Sequence, residues 1–486
     1  MVSAVACMVA GLPVGSLADA GEAVVAVGVG GNDSGALGDG TTVERDAPVR
    51  TRLPSGVTLT QESGGDSHTL GLTSDGRVLA WGRNDVGQLG DGTSTLRTTP
   101  VFVRLPAGVT VTQVAAGGDH SLALTSDGRV LAWGRNSSGQ LGDGSGASRT
   151  TPVFVDLPPG LSVTRVSGGS YHSLAMTSDG RVLAWGDNTF GELGNGGGAN
   201  SDKPVFVRTP KGVTAAAIDA GRGSSSFAVA STGRLLAWGH NDSDQLGDGT
   251  AVDRGIPVWT ALPEDEPGVT RVAAGFGHTL ALTPDGRVLV WGTNRSGQLG
   301  PGSNDIQKTP IQNDLPTGVT VTQLAAGSSH SLALTSDGRV LAWGANHSGQ
   351  IGDGATALRS SPAIMPLPEA AGPATGVAAN SDGSLVLAHA RSGATTSLKA
   401  TSGPGGRTWL TAKVTCGAAT PTGHVTFLEG TTTVVGAADL DAAATARFAL
   451  SRPAEGAHGL IARYEGNGLC SASTSRALTV RLPRHA

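Results

Sequence analysis

At one position of a repeated segment, five histidines are each followed by a serine or a threonine, a pairing that could supply the base and the nucleophile of a hydrolase. They are His68, His120, His172, His278 and His330. A sixth copy of the same segment carries Ser225 in place of the histidine. Because an enzyme needs one such pair rather than five, we expect a structural role, with each imidazole buried and bonded to a neighbouring repeat. We therefore expect no catalytic residue and no enzymatic activity.

Repeated Gly-Asp-Gly segments, such as residues 142–144, raise the question of calcium binding. They lack the dense carboxylate spacing of a calcium loop. Other recurring aspartates, such as Asp127 in "TSDG", occupy turn positions where the side chain can bond its own backbone. The sequence therefore predicts neither a metal site nor a cofactor.

These residues recur because the chain repeats one unit, which a tryptophan marks in each copy. The tryptophans are Trp81, Trp133, Trp185, Trp238, Trp291 and Trp343, at steps of 52, 52, 53, 53 and 52 residues. Within a unit, short apolar runs such as "HSLAL" and "RVLAW" are joined by "TSDG", which is typical of a tight β-hairpin. A unit of this length indicates a propeller blade, with the tryptophan filling the gap between neighbouring sheets.

The two ends of the repeat region each carry part of a unit. Residues 29–40, "VGGNDSGALGDG", align with residues 81–92, whereas residues 377–388, "VAANSDGSLVLA", stop before any tryptophan. Six complete hairpins and one split between the ends make seven. The sequence therefore predicts an all-β fold whose seven-bladed β-propeller is closed by pairing of N- and C-terminal half-units, which removes open sheet edges.

The pattern "HSLAL", "TSDG", "RVLAWG" and "GQLGDG" resembles the repeats of the regulator of chromosome condensation family over roughly residues 24–390. The resemblance implies a seven-bladed propeller. Nuclear members dock on chromatin and promote nucleotide exchange on a small GTPase with the help of a protruding insertion, but here the units differ in length by only one residue. Secreted bacterial members include inhibitors of β-lactamases with an aromatic-rich ring face, whereas this chain has only two tyrosines. The resemblance thus concerns the scaffold of the bacterial secreted type rather than either of these binding surfaces.

Residues 1–20 are apolar and end in the small-x-small sequence Ala-Asp-Ala, as a signal peptide does. We expect a secreted or cell-surface, extracellular protein without a membrane span, because the leader is too short to cross a bilayer. The net charge of -5 and the scattered lysines and arginines argue against nucleic acid as a partner.

The repeat period ends near residue 390, so the expected domains are a propeller over residues 21–390 and an immunoglobulin-like β-sandwich with a short tail over residues 391–486. Alternating runs such as "TWLTAKVT" predict the sandwich, and "TPTGHVTFLEG" resembles bacterial immunoglobulin-like repeats. After removal of the leader, Cys416 and Cys470 remain, and an even pair in an exported chain predicts a disulfide.

Differences among the copies mark candidate binding residues. The loops before the first strand and after the second strand of each hairpin share one end of the blade, and Tyr171, Phe190 and Phe276 lie there at positions where most other copies have serine, aspartate or glycine. Exposed aromatics on rigid loops favour contact with a protein or a carbohydrate, although such rings can also simply cover glycine-rich backbone.

We therefore expect a secreted or cell-surface, non-enzymatic binding or scaffold protein whose partner is an unknown protein or a cell-wall glycan. Two alternatives stay open. One is a propeller lyase or hydrolase that works at a ring face, and the other is a guanine-nucleotide exchange factor. Fold alone does not decide among them.

Overall fold

The computed structural model describes residues 24–301, 306–402, 407–417, 419–450 and 456–482. The predicted signal peptide, residues 1–20, lies outside this part of the chain. The described residues form β-strands joined by turns and loops, and no helix long and apolar enough to cross a membrane occurs among them. They fall into two compact units. The first comprises the described residues up to Leu367 together with Ala374–Ala388, and the second comprises Pro368–Pro373 and the described residues from His389 onward.

The first unit contains seven four-stranded antiparallel sheets. We number the six sheets built from consecutive strands as blades 1 to 6 in chain order, and the sheet built from both ends of the propeller chain as blade 7. The chain enters in blade 7 with β1 (Val24–Gly30) and β2 (Arg45–Arg50). Blade 1 consists of β3 (Leu59–Gly64), β4 (His68–Thr73), β5 (Val78–Gly82) and β6 (Arg97–Phe102). Blade 2 consists of β7 (Val111–Ala116), β8 (His120–Thr125), β9 (Val130–Gly134) and β10 (Arg149–Phe154). Blade 3 consists of β11 (Val163–Gly168), β12 (His172–Thr177), β13 (Val182–Gly186) and β14 (Ser201–Phe206).

The remaining blades repeat this order. Blade 4 consists of β15 (Ala215–Ala220), β16 (Ser225–Ala230), β17 (Leu235–Gly239) and β18 (Arg254–Trp259). Blade 5 consists of β19 (Arg271–Ala274), β20 (His278–Leu282), β21 (Val288–Thr293) and β22 (Ile306–Gln312). Blade 6 consists of β23 (Val321–Ala326), β24 (His330–Thr335), β25 (Val340–Gly344) and β26 (Arg359–Ile364). The chain returns to blade 7 with β27 (Ala371–Ala379) and β28 (Gly383–Ala390).

Blade 7 is built from both halves of the split unit. Its strand order is β2-β1-β28-β27, so the strand that enters the propeller pairs with the strand that leaves it. The backbone N–H of Gly31 also donates to the carbonyl of Asp382 at 2.7 Å. The predicted closure of the ring by its two half-units is therefore confirmed, and with it the seven-bladed fold.

The repeated tryptophans lie between blades and hold them together. Trp133 of blade 2 is fully buried among side chains of blade 1, including Leu70 and Leu89. Its indole N–H donates to the carbonyl of Gln88 in blade 1 at 2.9 Å. Burial of such a ring removes ~150–250 Å² from water, which makes it a major part of each blade interface. The same bond recurs from Trp81, Trp185, Trp238, Trp291 and Trp343 to the preceding blade.

The second unit is a β-sandwich. One sheet has the order β29-β30-β33, formed by β29 (Ala394–Ser402), β30 (Thr408–Cys416) and β33 (Thr445–Leu450). The strands of the other sheet are β31 (His424–Glu429), β32 (Thr433–Asp439), β34 (Gly456–Tyr464), β35 (Ser473–Thr474) and β36 (Leu478–Leu482). Their order is β32-β31-β34-β35, with β36 also paired to β34. Leu410, Phe427 and Tyr464 fill its core. Cys416 and Cys470 form a buried disulfide with a Cα–Cα distance of 5.9 Å, as expected for the pair.

Candidate functional site

The candidate site lies on what we call the loop face, the end of the propeller that carries the segments preceding the second strand and following the third strand of each blade. The "TSDG" turns lie at the opposite end. Tyr171, Phe190 and Phe276 all belong to the loop face, with 41%, 37% and 63% of their surface exposed. We call these three residues the aromatic patch. Their exposure makes them available to a partner.

Two members of the aromatic patch already contact side chains of adjacent blades. The guanidinium of Arg135 in blade 2 lies 6.0 Å from the centre of the Tyr171 ring. The Phe190 ring lies 4.2 Å from the imidazole ring of His240 in blade 4. Contacts between blades limit the motion of these rings, and a pre-ordered aromatic side chain loses little conformational entropy when it binds.

The segment over residues 221–224, which we call the blade 4 loop, lies between the loops that carry Tyr171 and Phe276. It has one residue more than the matching loops of blades 2 and 3. The Ser170 hydroxyl donates to the carbonyl of Arg222, and the N–H of Gly223 donates to the carbonyl of Gly275 at 3.1 Å. A Cβ at Gly223 would overlap the carbonyl oxygen of Phe276, so only glycine fits there.

Charged side chains occupy the loop face of blades 1 and 2, beside the aromatic patch. Arg83 pairs with Asp85 at 2.6 Å, and Arg135 pairs with Asp119 at 3.0 Å. Burial raises the pKa of Asp119, although Arg135 opposes that shift. The loop face thus combines exposed aromatic rings with a neighbouring set of ion pairs, the composition typical of a protein-binding surface with a polar rim.

The repeated histidines are fully buried and bond the next blade rather than the hydroxyl that follows them in sequence. The Nε2 atom of His68 lies 3.0 Å from the Oγ atom of Ser121, whose hydroxyl donates to the carbonyl of Gln88. The same contact joins His120, His172, His278 and His330 to Ser173, Ser226, Ser331 and Ser384. Burial lowers the pKa of His172 to about 4, so its imidazole is neutral at pH 7. Because each serine hydroxyl donates to a carbonyl, this arrangement joins blades and leaves no activated nucleophile among these serines.

The Gly-Asp-Gly segments hold arginines. Asp91 accepts hydrogen bonds from Nε and Nη2 of Arg97 at 2.9 and 2.7 Å. Burial alone would raise the pKa of Asp91, but the Thr93 hydroxyl and Arg97 outweigh it and hold the pKa below its usual range. Equivalent ion pairs join Asp39 to Arg45, Asp143 to Arg149, Asp248 to Arg254 and Asp353 to Arg359. Within the described ranges, no group of three or more histidine, cysteine, aspartate or glutamate side chains is arranged to hold a metal ion.

Arg222 in the blade 4 loop and Glu62 in β3 are buried charged residues that the sequence argument did not single out. The signal for Arg222 is the extra residue of its loop, which contributes to the step of 53 between Trp185 and Trp238. The signal for Glu62 is a carboxyl at the position of Val114 and its equivalents in the other blades. Both residues belong to the central region of the ring rather than to the aromatic patch.

Comparison with known proteins places both units in families. The family model for the RCC1-like domain matches residues 24–386, and the model for the bacterial Ig-like domain (group 3) matches residues 392–482. The chain is 33% identical over 338 residues to the ultraviolet-B receptor UVR8 of Arabidopsis thaliana, covering 69% of this chain and 76% of that protein. It is 31% identical over 353 residues to the human E3 ubiquitin-protein ligase HERC2, covering 71% of this chain but only 7% of HERC2.

Solved structures show the same propeller. Human WBSCR16 superposes with a TM-score of 0.68 at 27% identity, covering 76% of this chain and 99% of that chain. Yeast RCC1 (Prp20), solved with Kap60 bound, superposes with a TM-score of 0.68 at 24% identity, covering 76% of this chain and 90% of that chain.

Proposed function

This chain belongs to the RCC1-like family, and on that premise we propose that it is a secreted or cell-surface, non-enzymatic scaffold that binds a protein partner through the aromatic patch. An RCC1-like propeller is a protein-binding or regulatory scaffold. The ring supplies rigid loops, and the immunoglobulin-like unit serves as a spacer or as a second contact.

The observation that carries this proposal is the exposure of Tyr171, Phe190 and Phe276 on the same end of one rigid ring. The blade 4 loop bonds the loops on both sides of it and so orders the surface before a partner arrives. Exposed aromatic residues surrounded by polar groups are the usual centre of a protein interface. A cell-wall glycan would use the same rings for stacking on sugar faces, and the experiment below distinguishes the two.

An extracellular location rests on the apolar leader over residues 1–20 and on the disulfide between Cys416 and Cys470. The bacterial Ig-like unit fits the same location. Fractionation of the native host tests this part separately. Mature protein in the medium or cell wall with an N-terminus near residue 21 is the expected result, and full-length protein in the cytoplasm would refute secretion.

The binding proposal is tested by capture from culture supernatant and cell-wall extract of the native host with residues 21–486. The test variant combines Tyr171→Ser, Phe190→Ser and Phe276→Ser. The matched control combines Phe102→Ser, Phe154→Ser and Phe206→Ser, three aromatics at the opposite end of blades 1 to 3 that are 37%, 37% and 40% exposed. Circular dichroism verifies that both variants are folded.

We expect the wild type and the control variant to capture the same protein, and the test variant to lose it. Retention of the partner by the test variant would refute the assignment to the aromatic patch. Capture of wall fragments that resists protease but is lost after glycan digestion would show that the partner is a glycan.

A further inference from the structure

Arg222 extends from the blade 4 loop across the centre of the ring. Its Nη2 atom donates to the carbonyls of Gly64 and Ala379, each at 2.6 Å. Its Nε atom donates to the carbonyl of Ala326 at 3.3 Å, and its Nη1 atom lies 3.4 Å from the carboxylate of Asp66. We call these four acceptors the collar.

The collar belongs to blades that are distant from blade 4 in sequence. Gly64, Ala326 and Ala379 are the last residues of the innermost strands of blades 1, 6 and 7. The backbone of Arg222 also accepts from Ser170 in blade 3 and donates to the carbonyl of Ala274 in blade 5 at 3.4 Å. One residue of blade 4 therefore bonds five other blades, including blade 7, in which the two ends of the propeller chain pair, and the neighbouring blade 1.

The surroundings of the Arg222 guanidinium favour a cation. Only 14% of its side chain is exposed, and the central cavity that it adjoins has a volume of about 250 Å³. Burial lowers the pKa of Arg222, while Asp66, Asp219 and Asp382 oppose that shift. A guanidinium stays charged in proteins, so its burial requires acceptors that match its N–H groups. The three carbonyls and the carboxylate of the collar provide them.

We propose that the collar is a binding site for a guanidinium group, which Arg222 occupies from within the same chain to fasten the closed ring. The planar guanidinium presents five N–H donors in a fixed fork, whereas an ammonium presents three donors around one atom. The collar, with carbonyls from three blades and one carboxylate, therefore matches a guanidinium better than it matches an ammonium group. The ligand class is thus the guanidinium compounds, including an arginine side chain of another protein when Arg222 is absent.

The first test uses the full mature chain with Arg222→Ala and methylguanidinium chloride as the probe, measured by isothermal titration calorimetry. Methylammonium and tetramethylammonium chloride at equal ionic strength are the controls. We expect saturable binding of methylguanidinium at least tenfold tighter than of methylammonium, and none to the wild type, whose collar is filled. Asp66→Asn added to Arg222→Ala should weaken this binding severalfold. A folded Arg222→Ala protein without saturable binding, or equal binding by the wild type, would overturn the proposal.

A second test does not depend on the folding of the alanine variant. Arg222→Lys keeps the charge but cannot reach all four acceptors at once. We expect hydrogen exchange at the innermost strands of blades 1 and 7 to become at least tenfold faster than in the wild type, with little change in the innermost strand of blade 2. Unchanged exchange at the innermost strands of both blade 1 and blade 7 would contradict the fastening role of Arg222.

Discussion

Glu62 lies at the interface between blades 7 and 1, where burial of its carboxyl lowers the free energy of unfolding. The side chain is 8% exposed, and both of its carboxylate oxygens are buried without a hydrogen-bond partner in the described part of the chain. In blades 2 and 3 the same position holds Val114 and Val166, which are core residues. Burial raises the pKa of Glu62 to about 8. The carboxyl is therefore protonated in the folded protein at pH 7.

The sign of the pH effect follows from that shift. An unfolded glutamate has a pKa of about 4.3, so between pH 4.3 and 8 the folded protein holds a proton that the unfolded chain has released. The free energy of unfolding should therefore fall by ~1.4 kcal/mol per pH unit across this window because of Glu62 alone. The resulting loss of unfolding free energy reaches roughly 4 kcal/mol at pH 7 and levels off near 5 kcal/mol above pH 8, where the folded state ionises as well.

The perturbations are Glu62→Gln, which removes the titration, and Glu62→Val, which restores the residue of the other blades. Urea unfolding followed by tryptophan fluorescence reports on the propeller, since all tryptophans except Trp409 lie in it. Both variants should gain stability over the wild type as the pH rises from 5 to 8, with the larger total gain for Glu62→Val. A difference between wild type and Glu62→Gln that stays constant over this range would refute the assignment of a buried, protonated carboxyl.

Three further predictions concern the blade interfaces and the disulfide. Trp133→Phe loses the hydrogen bond to Gln88 and part of the ring, so urea unfolding should show a loss of about 1–3 kcal/mol, and an unchanged midpoint would contradict the interface role. Burial lowers the pKa of His172 to about 4, so the stability it supports is present above pH 6.5 and is lost as the pH falls toward 4. Relative to His172→Gln, the wild type should lose roughly 3 kcal/mol of unfolding free energy over that range. Parallel plots of unfolding free energy against pH for the two proteins would contradict a neutral buried imidazole. Replacement of Cys416 and Cys470 by serine should destabilise the immunoglobulin-like unit by ~4 kcal/mol, the chain-entropy value for a loop of this size. In urea unfolding, the transition reported by Trp409 should shift while the propeller transition stays in place. Equal shifts in both transitions would show that the disulfide does not act on this unit alone.

The propeller could be predicted because the repeat encodes one blade at a time. The tryptophan period identifies the unit, and the two incomplete copies at the ends, with Val29 in place of a tryptophan, predict how the ring closes. Hairpins and turns are local, so residues such as those of "TSDG" indicate them directly. The pairing of Cys416 with Cys470 follows from the small number of cysteines.

The contacts across the ring could not be predicted in this way. The partner of His68 is Ser121, 53 residues away, rather than the neighbouring threonine, and only the stacking of blades brings the two together. The extra residue in the loop of Arg222 is visible in the sequence. The direction of the Arg222 side chain, however, depends on how the loop backbone turns toward the centre of the ring. Glu62 could have been noticed as a charge at a valine position, since the repeat makes such exceptions visible, although its burial depends on the packing of blade 7 against blade 1.

We propose that the aromatic patch on the loop face is the surface that binds the partner. The most direct measurement is hydrogen exchange of the full mature chain with and without its captured partner. We expect protection in the segments that carry Tyr171, Phe190 and Phe276, with no change at the "TSDG" end of the same blades. Protection confined to that opposite end, or to the immunoglobulin-like unit, would refute the assignment to the aromatic patch.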